Sequence, residues 1–226
     1  MVVTGRRWRL AAVAAVAATT LAGCGLTPGT AAVVESSTIS HDRVDDVAVA
    51  VCSANLASAA ASGQPAPSLA TRGAREIALQ ILLETELWHQ FGEHEGVEAN
   101  QQQVSEAVAQ NETGVALLPE GQREDFRTAL RDYTEGQFIL VEAGRQALGP
   151  DAGIEEAAAK GGELLGEFVQ TLDVEVDPRY GRFEDGRFER AGTSLSVPAS
   201  REARAGAKRE PGDAFVSALP ASQQCR

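Results

Sequence analysis

Between residues 41 and 172 the apolar side chains recur three and four positions apart, and at Asp173 the spacing changes to two. A chain patterned this way folds as amphipathic helices that bury their stripes against one another and end in a short strand. Ser40 is placed to cap a first helix over about 41–62. Asp42, Asp45 and Asp46 sit near its positive end, and Val44, Val47, Ala48 and Val51 form its buried face. Gly63-Gln64-Pro65-Ala66-Pro67 ends it. The next helix begins near Thr71 and carries the widest apolar arc: Ala74, Ile77, Ala78, Ile81, Thr85 and Trp88, extended by Leu79, Leu82, Leu83, Leu87 and Phe91. It is expected at the centre. A third, short helix follows Asn100, with Gln103 in capping-box position ahead of Val104, Ala107 and Val108. Pro119 is expected to open a fourth, buried through Phe126, Leu130, Tyr133, Gln137 and Leu140 and stopped at Gly149-Pro150. Asp151 is expected to cap a fifth, with Ile154, Ala157, Ala158, Leu165, Phe168 and Leu172 on one face, and Gly161-Gly162 to kink it or admit a close neighbour.

The period-two stretch Asp173-Val174-Glu175-Val176-Asp177 reads as a half-buried strand. Its partner is expected to be Ala31-Ala32-Val33-Val34, which precedes the polar turn Glu35 to Thr38, so the two ends of the helical region meet. Pro178 to Phe183 reads as a turn out of the strand, and Ser194 to Pro198 as a further short run on the edge. Residues 191–226 form an extended or flexible tail, with Phe215, Val216 and Leu219 as a docking point. The fold class is mainly α: five helices with a small β pairing between an N-terminal strand and a strand after the last helix.

Before this region, Arg6, Arg7 and Arg9 precede a thirteen-residue apolar run, Leu10 to Ala22, shorter than the roughly 20 residues that span a bilayer. Residues 1–23 read as a secretory signal, and Leu21-Ala22-Gly23-Cys24 resembles the lipobox of bacterial lipoproteins, which implies a diacylated Cys24 followed by a tether to residue 30. Two acyl chains, at about 0.8 kcal/mol per buried methylene, hold a domain at the outer membrane face. With Cys24 lipidated, Cys52 and Cys225 remain, and an oxidising compartment pairs them as a disulfide. A loop of that length is worth at most about 5 kcal/mol on chain-entropy grounds. With 32 acidic against 20 basic residues and a net charge of −12, the chain lacks the positive surface that nucleic acid requires.

The lipobox, Ala31 to Val34 with its turn, Ile39-Ser40 leading into an Asp-rich helix, four further amphipathic helices and then Val174-Glu175-Val176-Asp177-Pro178-Arg179-Tyr180-Gly181 together resemble the SurA N-terminal domain of actinobacterial lipoproteins. The resemblance covers about residues 31 to 185, within a helical domain set at 31–190. It implies a helical domain that binds unfolded polypeptides. The family's turn usually reads Asn-Gly, where this chain has Glu35-Ser36-Ser37. SurA-type and PrsA-type chaperones usually add a parvulin prolyl-isomerase domain of about a hundred residues, for which no segment here has the length or strand content.

Catalysis has little to build on. His89 and His94 are five apart, a poor spacing for a helical zinc pair, and all three histidines, His41 included, read as solvent-facing groups at helix ends. Glu84, Glu86, Glu93, Glu95 and Glu98, and Glu155, Glu156, Glu163 and Glu167, have the phase of solvated helix faces rather than of glycosidase carboxylates. No phosphate loop, nucleophile elbow or dinucleotide fingerprint occurs, so no catalytic residue, metal or cofactor is expected. Binding is the better account, with Trp88, Phe91, Phe126, Tyr133 and Phe138 as the candidate peptide-binding aromatics beside Leu87 and Ile139. The alternatives to be weighed against the core are adaptable contact with unfolded or newly exported chains, and tight holding of one cell-envelope partner. A prolyl isomerase is the third reading, from family association alone.

Overall fold

The computed structural model describes residues 26–66, 68–190, 198–208 and 211–225. Residues 1–25 lie outside that range, and with them the expected signal segment and Cys24, as does most of the Ser194 to Pro198 run.

Eight α-helices and five short strands lie in the described residues, in the order β1 (Thr30–Val34), β2 (Ser37–Ser40), α1 (His41–Ser62), α2 (Thr71–Glu95), α3 (Gln101–Gln110), α4 (Glu112–Ala116), α5 (Arg123–Leu148), α6 (Ile154–Val169), β3 (Val174–Val176), β4 (Gly181–Glu184), β5 (Arg187–Arg190), α7 (Arg201–Gly206) and α8 (Asp213–Ser217). The protein is mainly helical with small antiparallel sheets, as the periodicity implies.

Local chemistry sets most helix ends. Ser40 Oγ accepts from the Arg43 N–H at 3.1 Å, and Gly63 closes α1 in the left-handed region at φ 66°. Asn100 Oδ1 accepts from the N–H groups of Gln102 and Gln103, at 3.1 and 3.2 Å. The return half of that capping box is not made, because Gln103 Oε1 is buried without a partner. Nor does Asp151 cap α6; Gly153 occupies that position with no side-chain bond.

α2 lies between α1 and α5 and buries Ala74, Ala78, Leu79, Leu83, Leu87, Trp88 and Phe91. α1 is long and apolar enough to cross a bilayer by length and composition, yet here Val44, Val47 and Ala48 pack into the core beside α2. The fourth expected helix is divided: α4 and a single 3-10 turn at Glu120–Gln122 precede α5, and Pro119 precedes the turn rather than the long helix. The buried face of α5 also differs. It runs through Thr134, Gly136, Ile139, Val141, Ala143 and Gly144, while Gln137 is exposed and Phe126, Leu130, Tyr133 and Leu140 are half-buried. The reason is the distance between helices. A β-carbon on Gly144 would overlap the Ala157 backbone and one on Gly161 the Leu140 backbone, so α5 and α6 meet through their small residues and the larger side chains are pushed to the flanks. Gly161 thus admits a close neighbour, whereas Ile154, at the first position of α6, is 60% exposed.

The sheet has the order β2-β1-β3, antiparallel throughout. Ala32, Val33 and Val34 stand opposite Val176, Glu175 and Val174, so the two ends of the helical region meet as the sequence pattern requires. The edge is extended by Glu35 N–H to the Asp173 carbonyl at 2.9 Å and by Asp173 N–H to Glu35 Oε1 at 2.7 Å. Glu35 occupies the left-handed region, φ 53°, where the turn between β1 and β2 needs it. β1 is covered on both faces, with Ala31, Ala32 and Val34 fully buried beside Leu79, Leu83 and Val44. A second cluster, of Phe91, Val104, Val108, Ile139 and Ala143, joins α2, α3 and α5.

Two regions differ from expectation. The turn after β3 leads into a hairpin, β4 against β5, with Phe183 opposite Phe188 and both rings reaching the first cluster. In place of an extended tail, α7, α8 and a 3-10 turn at Ala221–Gln223 bring the C-terminus back, with Val216 buried and Cys225 beside Cys52.

Candidate functional site

The five candidate aromatics do not form one surface. α2 carries Trp88 and Phe91 inward, at 8% and 0% exposure. Trp88 lies over α5 because Gly136 leaves it room, and its ring stands 4.9 Å from that of Tyr133. Burial raises the Tyr133 phenol above its ordinary value, the Glu84 carboxylate adds to this, and a bond to Gln137 opposes it. Phe91 meets Phe168 of α6 at 5.7 Å. Phe138 packs on the second cluster and is half-buried, as is Phe126; Leu87 and Ile139 are interior. Trp88 and Phe91 therefore fill the α2–α5 seam. Among the described residues the exposed large apolar side chains are Val49, Leu117, Leu148 and Ile154, the last two bracketing the turn from α5 into α6.

What sequence reasoning missed is a pair of adjoining open grooves around the α2–α3 loop. One, of about 680 Å³, is lined by Val97, Asn100, Gln103, Glu142, Arg145 and Pro150 among others. Its neighbour, of about 630 Å³, shares Gly96, Val97 and Glu98 and adds His89, Glu93 and Glu135. Glu142 holds Arg145 at 2.9 Å and Gln101 donates to Glu135 at 2.7 Å, so the grooves keep an acidic balance. Gln103 Oε1 and Arg145 Nε are buried there without a bonding partner among the described residues. No sequence signal marks these residues, because they meet only when α3 folds across the α2–α5 pair. His89 is half-buried against this groove, and His94 pairs with Glu95 at 3.0 Å on the surface.

His41 is not a free helix-end histidine. Its Nδ1 stands 3.0 Å from Tyr180 Oη, and its Nε2 stands 2.6 Å from an Arg179 nitrogen and 3.5 Å from Asp177. A guanidinium can only donate, so in the contact with Arg179 the ring nitrogen Nε2 is the acceptor. The Arg179 side chain and backbone N–H, with His41 nearby, hold the Asp177 carboxyl below its usual range. Burial raises the Tyr180 phenol. These contacts tie the start of α1 to the chain leaving β3. Among the described residues no group of three or more His, Cys, Asp or Glu could hold a metal.

Cys52 and Cys225 stand at disulfide distance, Cα to Cα 5.1 Å, joining the middle of α1 to the C-terminus.

No family model, curated protein or solved structure matches the chain.

Proposed function

We infer that the protein is a lipid-anchored, extracytoplasmic polypeptide-binding protein of the SurA N-terminal kind, holding unfolded or newly exported chains without catalysis. The observation that supports this is the coarse order of elements: a hairpin, a helical region that is six helices, α1 to α6, where the resemblance implies five, and a return strand beside the first. Two further features support it. The grooves around the α2–α3 loop are open and acidic, which suits extended basic segments of a client. Leu148 and Ile154 add exposed apolar contact beside them. Because Trp88 and Phe91 are interior, client contact falls to the groove rims and to Phe126, Tyr133 and Phe138.

The test is light scattering of chemically denatured clients diluted into the protein lacking residues 1–24. Suppressed aggregation of two or three unrelated clients, weakened by Leu148→Ser with Ile154→Ser, supports the reading; no suppression at several-fold molar excess overturns it. The burial of the central aromatics favours one second reading, an adaptor with a single cell-envelope partner, since little apolar surface is then left for promiscuous contact. A stoichiometric complex with one protein in a pull-down would select it. A proline-peptide isomerisation assay is expected to show background turnover.

A further inference from the structure

The C-terminal segment, Pro211 to Cys225, rests on the helical body through few contacts. Val216 is its one fully buried side chain among the described residues; Phe215, Leu219 and Cys225 are half-buried, and most of the remainder faces solvent. Its backbone meets the body at the end, where the Cys225 N–H donates to the Leu69 carbonyl at 2.9 Å and Gln224 bridges to Ala70. Ser217 Oγ to Ser68 Oγ, and Thr71 Oγ1 to the Ser222 carbonyl, are both at 3.5 Å, the outer limit of a hydrogen bond. Beside Val216 the packing is incomplete, leaving a cavity of about 160 Å³ against Leu69, Ala70 and Ile77. Ordering a segment of this length costs conformational entropy at every residue, and Val216 is the one side chain in it buried enough to offset much of that cost. The segment is also tied to α1 covalently, through Cys225 and Cys52. Both cysteines are half-buried, at the edge of the first cluster.

We propose that the Cys52–Cys225 bond is a redox latch. Its reduction by a dithiol releases residues 211–225 and uncovers the apolar wall of Leu69, Ile77 and Val216's seat, while the body stays folded. One thiolate of the dithiol attacks Cys225 Sγ and expels the Cys52 thiolate. The donor's second thiolate attacks its own sulfur in the mixed disulfide and expels Cys225, so the donor departs as a disulfide, two electrons pass to the protein and each cysteine takes a proton. The body holds because α2 is fixed by Leu79 and Leu83 against α1 and β1 and by Phe91 against α5, contacts that do not depend on residues 211–224.

Hydrogen exchange read by mass spectrometry tests this on the oxidised protein, on the protein reduced with dithiothreitol and on Cys225→Ser. The expected result is at least a tenfold loss of protection across residues 215–225 in the last two samples, with residues 79–91 unchanged and binding of a hydrophobic dye increased. Retained protection in 215–225 would overturn the latch, because the non-covalent contacts would then suffice. Parallel loss in 79–91 would overturn it too, making the bond a staple for the whole fold, as would a Cys225→Ser protein that keeps the oxidised pattern. The readout needs no client and stands apart from polypeptide holding.

Discussion

Gly144 on α5 rests against the backbone carbonyl of Ala157 on α6, with no room for a β-carbon between them. Gly161 on α6 repeats the relationship against Leu140 on α5, so two glycines on opposite helices set one close crossing. A methyl at either site drives into backbone, which cannot rotate away. Gly144→Ala and Gly161→Ala are each expected to cost about 1–3 kcal/mol or more. Gly162→Ala, which meets open space on the same helix, is expected to be neutral or mildly stabilising. Urea unfolding of the three variants checks this.

Phe91 decides between core and client contact for the central aromatics. As a fully buried side chain against Phe168, its replacement by Ala is expected to cost about 3–5 kcal/mol. Phe138→Ala, half-buried at the edge of the same cluster, should cost less. If Phe91→Ala left the unfolding midpoint unchanged while lowering client binding, the assignment of Phe91 to the interior would be wrong.

Asp177 gives the fold an acid-sensitive tie. Arg179 holds its carboxyl below the usual range, so protons bind the unfolded chain more readily than the native one. The stabilisation is complete above the ordinary Asp value of about 3.9 and is lost as pH falls through it toward the lower native value. The amount is modest, because Arg179 is 71% exposed and the pair is screened. Thermal melts between pH 7 and pH 3 should show Asp177→Asn less stable at neutral pH and flatter toward acid than the parent.

Gly186 carries the hairpin turn with φ at 73°, after Asp185 at 51°. Gly186→Val should cost about 1–2 kcal/mol for the left-handed backbone and more for its contact with the Gln170 side chain, seen as a lower melting temperature. Gly186→Asn, which tolerates that region, is expected to recover part of the loss.

The β4–β5 hairpin was open to reading from the residues. Arg182-Phe183-Glu184 and Arg187-Phe188-Glu189 flank Asp185-Gly186, a two-residue turn signal between strands that alternate. Taking Pro178 to Phe183 as a simple exit from the strand concealed it. The grooves had no such signal: Gln103 and Arg145 are forty-odd positions apart and are ordinary polar residues on their own helices.

What the sequence determined by itself is what depends on neighbours along the chain. The period of three and four set the helices; Ser40, Asn100, Gly63 and Gly149 set many of their ends; the change to period two at Asp173 set the return strand. These are short-range effects of backbone geometry and capping. The tertiary structure decided which face of each helix is buried and how far. The pattern on α5 pointed to Phe126, Leu130, Tyr133 and Gln137, but burial followed Gly136, Ala143 and Gly144, because packing at short distance against α6 and Trp88 selects the face where backbones can approach. It also decided that Trp88 and Phe91 fill a seam, because that depends on pairs distant in the chain and a hydrophobic stripe does not name its partner. The return of the C-terminus to α1, by contrast, follows the Cys52–Cys225 pairing read from the cysteines.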